Sequence, residues 1–283
     1  MSDKPFVLNE TNNLLRACYD GDNYREENLG NGRKCFVFFS GNGLYYPNDY
    51  PTAANALINN DHYEWQNITK SELIRFQAGK IIFLRDIYKQ WYVTGINSKI
   101  NSIGKLFMFL REKTKGYDVV TVGNSAGGYM AALFGALLSA KMALNFSGQY
   151  VINPNEFDKN NHKKYAHDQF YAQFFDIRPF LKANPRVPIM YFFPAKCEQD
   201  INQHALVKDL NNVYDFAFDV DKHGNTMYAT DMICSIASEP DILQNLYRIF
   251  RDKIISPSQF SINLYWLYTL KYFELKRLLD TSR

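Results

Sequence analysis

Cysteine is scarce in this chain. The four residues Cys18, Cys35, Cys197 and Cys234 lie far apart in a sequence of 283 and form no Cys-x-x-Cys pair and no Cys/His cluster. The expectation is therefore reduced, mostly buried thiols and no bound metal. An excess of one charge is missing too. The formal net charge is only +3 and the charged residues are spread along the chain, so no basic stripe offers itself to a nucleic acid. No apolar run reaches the ~20 residues needed to span a bilayer. The opening MSDKPFVLNETNN lacks a basic segment followed by an apolar one, so no signal peptide is expected and the protein reads as cytoplasmic. Internal repeats and low-complexity segments are likewise absent.

Aromatic residues, by contrast, are abundant. Twenty Tyr and 22 Phe contribute to an aromatic content of 16%, which suits either a stiff aromatic core or an aromatic-lined cleft. Short apolar runs alternate with helical periods. Lys34–Ser40, Lys80–Leu84, Asp118–Val122, Met142–Phe146, Val187–Phe193 and Val213–Val220 read as buried strands. Phe6–Leu8 and Leu14–Tyr19 read as shorter strands, and 20–33 as a polar connection. Helical patterns are expected over 52–59, 70–77, 97–115, 127–140, 203–210, 226–237 and 241–250. This alternation predicts an α/β fold: a mostly parallel central sheet with helices on both faces. Residues 1–255 are expected to form that domain, with 151–185, which breaks the rhythm, as a small cap insertion. Residues 256–283 stand apart as an aromatic, amphipathic tail. It would pack on the parent domain, join a second copy, or lie on a membrane surface.

The chemistry concentrates in DVVTVGNSAGGYMAALFGALL, residues 118–138. A β-branched strand ends at Gly123, and an Ala- and Leu-rich helix starts after Ser125. Gly-x-Ser-x-Gly between a strand and a helix is a nucleophile elbow. The turn is so sharp that the residues two before and two after the serine must be small, and here they are Gly123 and Gly127. The hydroxyl of Ser125 is lifted clear of the sheet, and the N–H of Ala126 faces a developing oxyanion at the helix start.

A nucleophilic serine needs a base and an orienting acid, in the chain order Ser, Asp or Glu, His. His223, in the loop after the strand ending at Val220, fits the base. The acid should follow the strand Val187–Phe193, where Glu198 and Asp200 both lie. Asp200 is preferred because it can anchor the loop while facing His223. The second oxyanion donor is expected from Gly41 or Asn42, after the strand KCFVFFS.

These residues carry a resemblance. GNSAGGYMAALFG with a downstream HGNTMY resembles the serine α/β-hydrolase fold. More narrowly, over about residues 34–250, it is similar to bacterial proteins of capsule and surface-polysaccharide biosynthesis, some of them capsule O-acetyltransferases. In those proteins the elbow is followed by a strand ending in Ser-Pro-Gln or Ala-Pro-Gln. Phe146-Ser147-Gly148-Gln149 stands here instead, with Gly in place of Pro. They also carry a segment like Phe83-Leu84-Arg85-Asp86 followed by Trp91-Tyr92-Val93-Thr94-Gly95. The resemblance implies Ser125 as nucleophile, Asp200 as acid and His223 as base, with Trp91 and Tyr92 near the cleft or in the core. It implies an esterase or deacylase acting on an acylated glycan, with no cofactor, or an O-acetyltransferase using acetyl-CoA as donor. An inactive scaffold docking through the tail, and a lipid hydrolase, are the readings from other directions.

Overall fold

In the computed structural model, residue 8 and residues 10–30, 32–152 and 169–281 are described. Eight strands form one sheet: β1 (Tyr24–Asn28), β2 (Lys34–Phe39), β3 (Ala78–Leu84), β4 (Asp118–Asn124), β5 (Met142–Phe146), β6 (Ile189–Pro194), β7 (Val213–Phe218) and β8 (Ile254–Ile255). Their spatial order is β1-β3-β2-β4-β5-β6-β7-β8. Among the described strands of this sheet only β1 runs antiparallel to its neighbour; the other strand pairings are parallel. β2, β5 and β6 are buried at every position, as expected of strands covered on both faces. Their sequences are accordingly near-continuous apolar runs.

The two faces carry separate cores. One packs the elbow helix Ala126–Leu137 and the helix Ile103–Lys113 against the sheet through Leu106, Leu110, Tyr129, Leu133 and Phe134. The other packs the helices Ala229–Ala237, Pro240–Phe250 and Pro257–Thr281 through Ile236, Leu243, Leu246 and Phe260. The aromatic content of the sequence is largely accounted for by these cores. Phe146, Phe192 and Phe216 stack across β5, β6 and β7 at 4.9 and 5.0 Å between ring centroids, and Phe260 meets Phe192 edge-on.

Several expectations are corrected. Leu14–Tyr19 belongs to a helix, Asn13–Tyr19, whose first turn is capped by the Asn12 side chain accepting from the N–H of Leu15. The polar connection 20–33 contains β1, YREEN, a half-exposed edge strand that needs no apolar run. The helical stretch expected from 97 begins only at Ile103. The expected helix 203–210 is observed as Glu198–Ala205. Phe6 and Val7 lie outside the described residues, as do 153–168, a little under half of the expected cap. The described remainder of that stretch includes Arg178–Ala183, which packs Leu181 into the core beside the elbow helix. The first part of the tail helix packs on the parent domain, burying Phe260 and Leu264, while Ile262, Tyr265, Trp266 and Leu270 stay exposed. Among the described residues no helix is long and apolar enough to cross a membrane.

Candidate active site

Four strands deliver the site at their carboxyl ends, where open α/β sheets bind ligands. β2 leads into Gly41, β4 into Ser125, β6 into the segment before Asp200, and β7 into the loop carrying His223.

Ser125 sits at φ +54°, ψ −121° between β4 and the helix Ala126–Leu137. Such a backbone is costly for a residue with a Cβ, by about 1–3 kcal/mol, and persists only where its surroundings hold it. Here the N–H of Ser125 donates to the carbonyl of Phe146 at 2.8 Å, and its carbonyl accepts from the N–H of Tyr129 at 3.1 Å. The flanking glycines are required by contact. A Cβ on Gly123 would overlap the carbonyl of Gly127, and one on Gly127 would overlap the carbonyl of Phe39. The N–H groups of Ala126, Gly127 and Gly128 open the helix and have no acceptor one turn back.

Ser125 Oγ lies 2.8 Å from His223 Nε2, and His223 Nδ1 lies 2.8 Å from Asp200 Oδ2. A carboxylate only accepts, so the ring proton sits on Nδ1 and Nε2 accepts from the serine hydroxyl. Asp200 is 1% exposed and occupies the first turn of Glu198–Ala205, where the helix dipole favours negative charge. His223 is half-buried, with its ring reachable from solvent. The structure thus brings Ser125, Asp200 and His223 together; Glu198, the alternative acid, is exposed. Cys197, the N-cap residue of the same helix, is a neighbour the sequence did not suggest. It offers its sulfur within 4.8 Å of ligand atoms on Asp200 and His223. Burial, and then the Asp200 carboxylate, push its thiol pKa up.

Of the two residues expected as the second oxyanion donor, Gly41 donates its N–H to Glu64 Oε2 at 2.5 Å, and Asn42 is the first residue of a short 3-10 turn. Glu64 approaches closely because residue 43 lacks a side chain: a Cβ on Gly43 would come 2.7 Å from Glu64 Oε1, whereas one on Gly41 would meet the carbonyl of Asn124 at 2.5 Å. Burial raises the Glu64 pKa. The next residue, Trp65, has φ +70° and packs its ring on Phe38 and Phe146. Gly43 was the sequence signal of this close approach, and it did not name the partner.

Trp91 and Tyr92, expected near the cleft as substrate-binding candidates or in the core, lie in the core. Tyr92 is 0% exposed and Trp91 3%. The hydroxyl of Tyr92 lies 2.9 Å from the carbonyl of Ser40 and 3.1 Å from that of Leu84, bracing the strand ends beneath the Gly41 loop. Trp91 Nε1 donates to Gln149 Oε1 at 3.3 Å. Both have positive φ, as does Lys89. The buried Asp86 carboxylate holds this turn by accepting from the N–H groups of Tyr88, Gln90 and Tyr92. Gly148, where the similar proteins carry Pro, lies flat on the elbow helix: a Cβ there would overlap the backbone of Gly128 and Tyr129.

A mostly parallel sheet with the serine on a strand–turn–helix elbow, a buried carboxylate in the first turn of a helix after a later strand, and a histidine in the loop after the next strand is the α/β-hydrolase fold, and the chain has it. Comparison with solved structures agrees. Over 80% of this chain and 92% of the other, it is similar to the capsule O-acetyltransferase of Neisseria meningitidis serogroup A, at 12% identity and a TM-score of 0.51. It also matches an S-formylglutathione hydrolase of Staphylococcus aureus over 74% and 85% of the two chains, at 10% identity and a TM-score of 0.48. No protein-family model and no curated protein matches the sequence.

Proposed function

We propose that the protein is a serine-nucleophile acyl-transfer enzyme, an esterase or deacylase acting on an acylated glycan. The observation that carries the reading is the chain of 2.8 Å contacts from Ser125 Oγ through His223 to a buried Asp200. His223 Nε2 takes the serine proton as Oγ attacks an ester carbonyl. The N–H groups of Ala126 and Asn42 receive the oxyanion, Asp200 holds the imidazole in its Nδ1–H tautomer, and His223 returns the proton to the leaving alcohol. Water then resolves the acyl-enzyme, with His223 again as base. The glycan is supported by the sequence resemblance alone.

A second reading, O-acetyl transfer from acetyl-CoA to a glycan hydroxyl, is favoured by the likeness to the meningococcal capsule enzyme. The two share every step up to the acyl-enzyme and differ in the acceptor. Purified protein and Ser125→Ala are to be incubated with p-nitrophenyl acetate and with acetyl-CoA, with and without an acidic polysaccharide. Ester cleavage indifferent to the polysaccharide and lost in the variant supports the hydrolase. Acetyl transfer that needs the polysaccharide supports the transferase. Turnover that survives in Ser125→Ala overturns both.

A further inference from the structure

The sequence holds no run of clustered Cys and His, yet the fold assembles three ligands of different kinds at one point. A sulfur of Cys197, a carboxylate oxygen of Asp200 and a ring nitrogen of His223 all lie within 4.8 Å of one another. Asp200 and Cys197 are held on one helix turn, three residues apart, and His223 comes from the loop after β7. Cys197 and His223 are both half-buried and Asp200 is buried. A tetrahedral metal with bonds of about 2.0–2.3 Å places its ligand atoms roughly 3.5 Å apart, so the Asp200–His223 pair, 2.8 Å apart here, must open by roughly 0.7 Å to admit it. One thiolate, one imidazole and one carboxylate suit Zn²⁺ and disfavour Mg²⁺ or Ca²⁺, which need several oxygens. Three protein ligands leave a fourth position for water.

We propose that Cys197, Asp200 and His223 form an inhibitory site for Zn²⁺, in which the metal switches the Ser125 site off. The inhibitory effect rests on the serine-nucleophile reading above; the binding itself does not. Zinc would take the position between Asp200 and His223 and bind His223 at Nδ1. The ring keeps its single proton, which now sits on Nε2. Nε2–H donates to Ser125 Oγ and can no longer accept from it, so the hydroxyl has no base. The thiol proton of Cys197 leaves as the sulfur binds, so one proton is released for each zinc bound. The serine elbow and the oxyanion donors are untouched, and removing the metal restores the original tautomer.

The test uses the full chain, freed of metal with a chelator, and ZnCl2 as the ligand. Zinc binding is followed by calorimetry in two buffers of different ionisation enthalpy, and Ser125 reactivity by labelling with a fluorophosphonate. The expected result is one zinc and one released proton per chain, loss of labelling over the same zinc range, recovery on chelation, and no effect of MgCl2. In Cys197→Ala and Cys197→Ser, each referred to its own metal-free labelling rate, the half-protecting zinc concentration should rise by about tenfold or more. Equal zinc dependence in wild type and both variants, or no saturable binding, overturns the proposal. A wild-type protein that is not labelled without zinc refutes the nucleophile reading and with it the inhibition, while calorimetry with the Cys197 variants still judges the metal site.

Discussion

The cost of the proposed nucleophile's position falls on Ser125 itself. Its φ of +54° is not relieved by any change that keeps a Cβ. Ser125→Ala therefore keeps the strain, whereas Ser125→Gly removes it. The gain is about 1–3 kcal/mol of strain, less about 0.5–1 kcal/mol for the freedom glycine adds to the unfolded chain. Urea denaturation should show Ser125→Gly more stable than Ser125→Ala by about 1 kcal/mol; equal midpoints would mean the turn is unstrained. Glu64 presents a different residue-scale problem. Its carboxylate takes the N–H of Gly41 on a loop that, in the proposed mechanism, presents a donor to the oxyanion. The proposed mechanism gives that task to Asn42 and makes Glu64 the residue that positions the loop. Glu64→Gln keeps a carbonyl oxygen for Gly41 and should retain kcat within a few-fold. Glu64→Ala should lower kcat on an activated ester, by less than the ~10²–10³ of losing a donor outright, with KM little changed. An Ala variant faster than wild type would show that the carboxylate blocks the donor.

At the scale of elements, what was legible follows from burial. The central strands advertise themselves because both faces are covered, so β2, β5 and β6 are apolar throughout. β1 was missed because an edge strand with polar residues has no such signature. Asn13–Tyr19 was misread because seven residues with apolar Leu14 and Leu15 adjacent carry too little period to separate helix from strand. The elbow and the order Ser125, Asp200, His223 were readable because a sharp turn demands small neighbours and the fold fixes the loops. Glu64 and Cys197 were not, because their roles depend on contacts made across the fold. The turn from Asp86 to Tyr92 shows the same limit: its motif was visible, but only the structure shows that the motif holds a buried carboxylate. Burial pushes the Asp86 pKa up from 3.8 to about 6. Between those values the native protein keeps a proton that the unfolded chain has lost, so this group's contribution falls as pH rises through the window and is level above it. The change is at most about 3 kcal/mol for some two units. Asp49, Asp176 and Asp215, with lowered values, act in the opposite sense, so the difference from Asp86→Asn isolates the effect. Denaturation from pH 4 to pH 7 should show the wild type losing ground to Asp86→Asn as pH rises. A constant difference would sink the assignment.

For the whole molecule, the site lies at the carboxyl edge of the sheet while one of its two faces is closed by the last three helices, the tail included. Phe260 is the tail's anchor. Its ring is fully buried, 5.2 Å from Phe218, 5.7 Å from Phe216 and 6.0 Å from Phe192 between centroids, and Leu264 follows it into the same core. The beginning of the tail is thus part of the domain's own packing, whatever meets its exposed side. Truncating a buried phenylalanine costs about 3–5 kcal/mol, because the transfer energy is lost and a cavity remains, and that is a large fraction of the stability of an ordinary domain. Phe260→Ala should lower the denaturation midpoint by that amount. At temperatures where the variant is still folded, Ser125 labelling should persist, since Phe260 packs in the core on one face of the sheet and the elbow helix in the core on the other. Trp266→Ala, on the exposed stripe of the same helix, should change stability by no more than about 0.5 kcal/mol. Equal effects of the two substitutions would mean that the tail does not close this core in solution, and that the aromatic stripe is held by something other than the chain's own sheet.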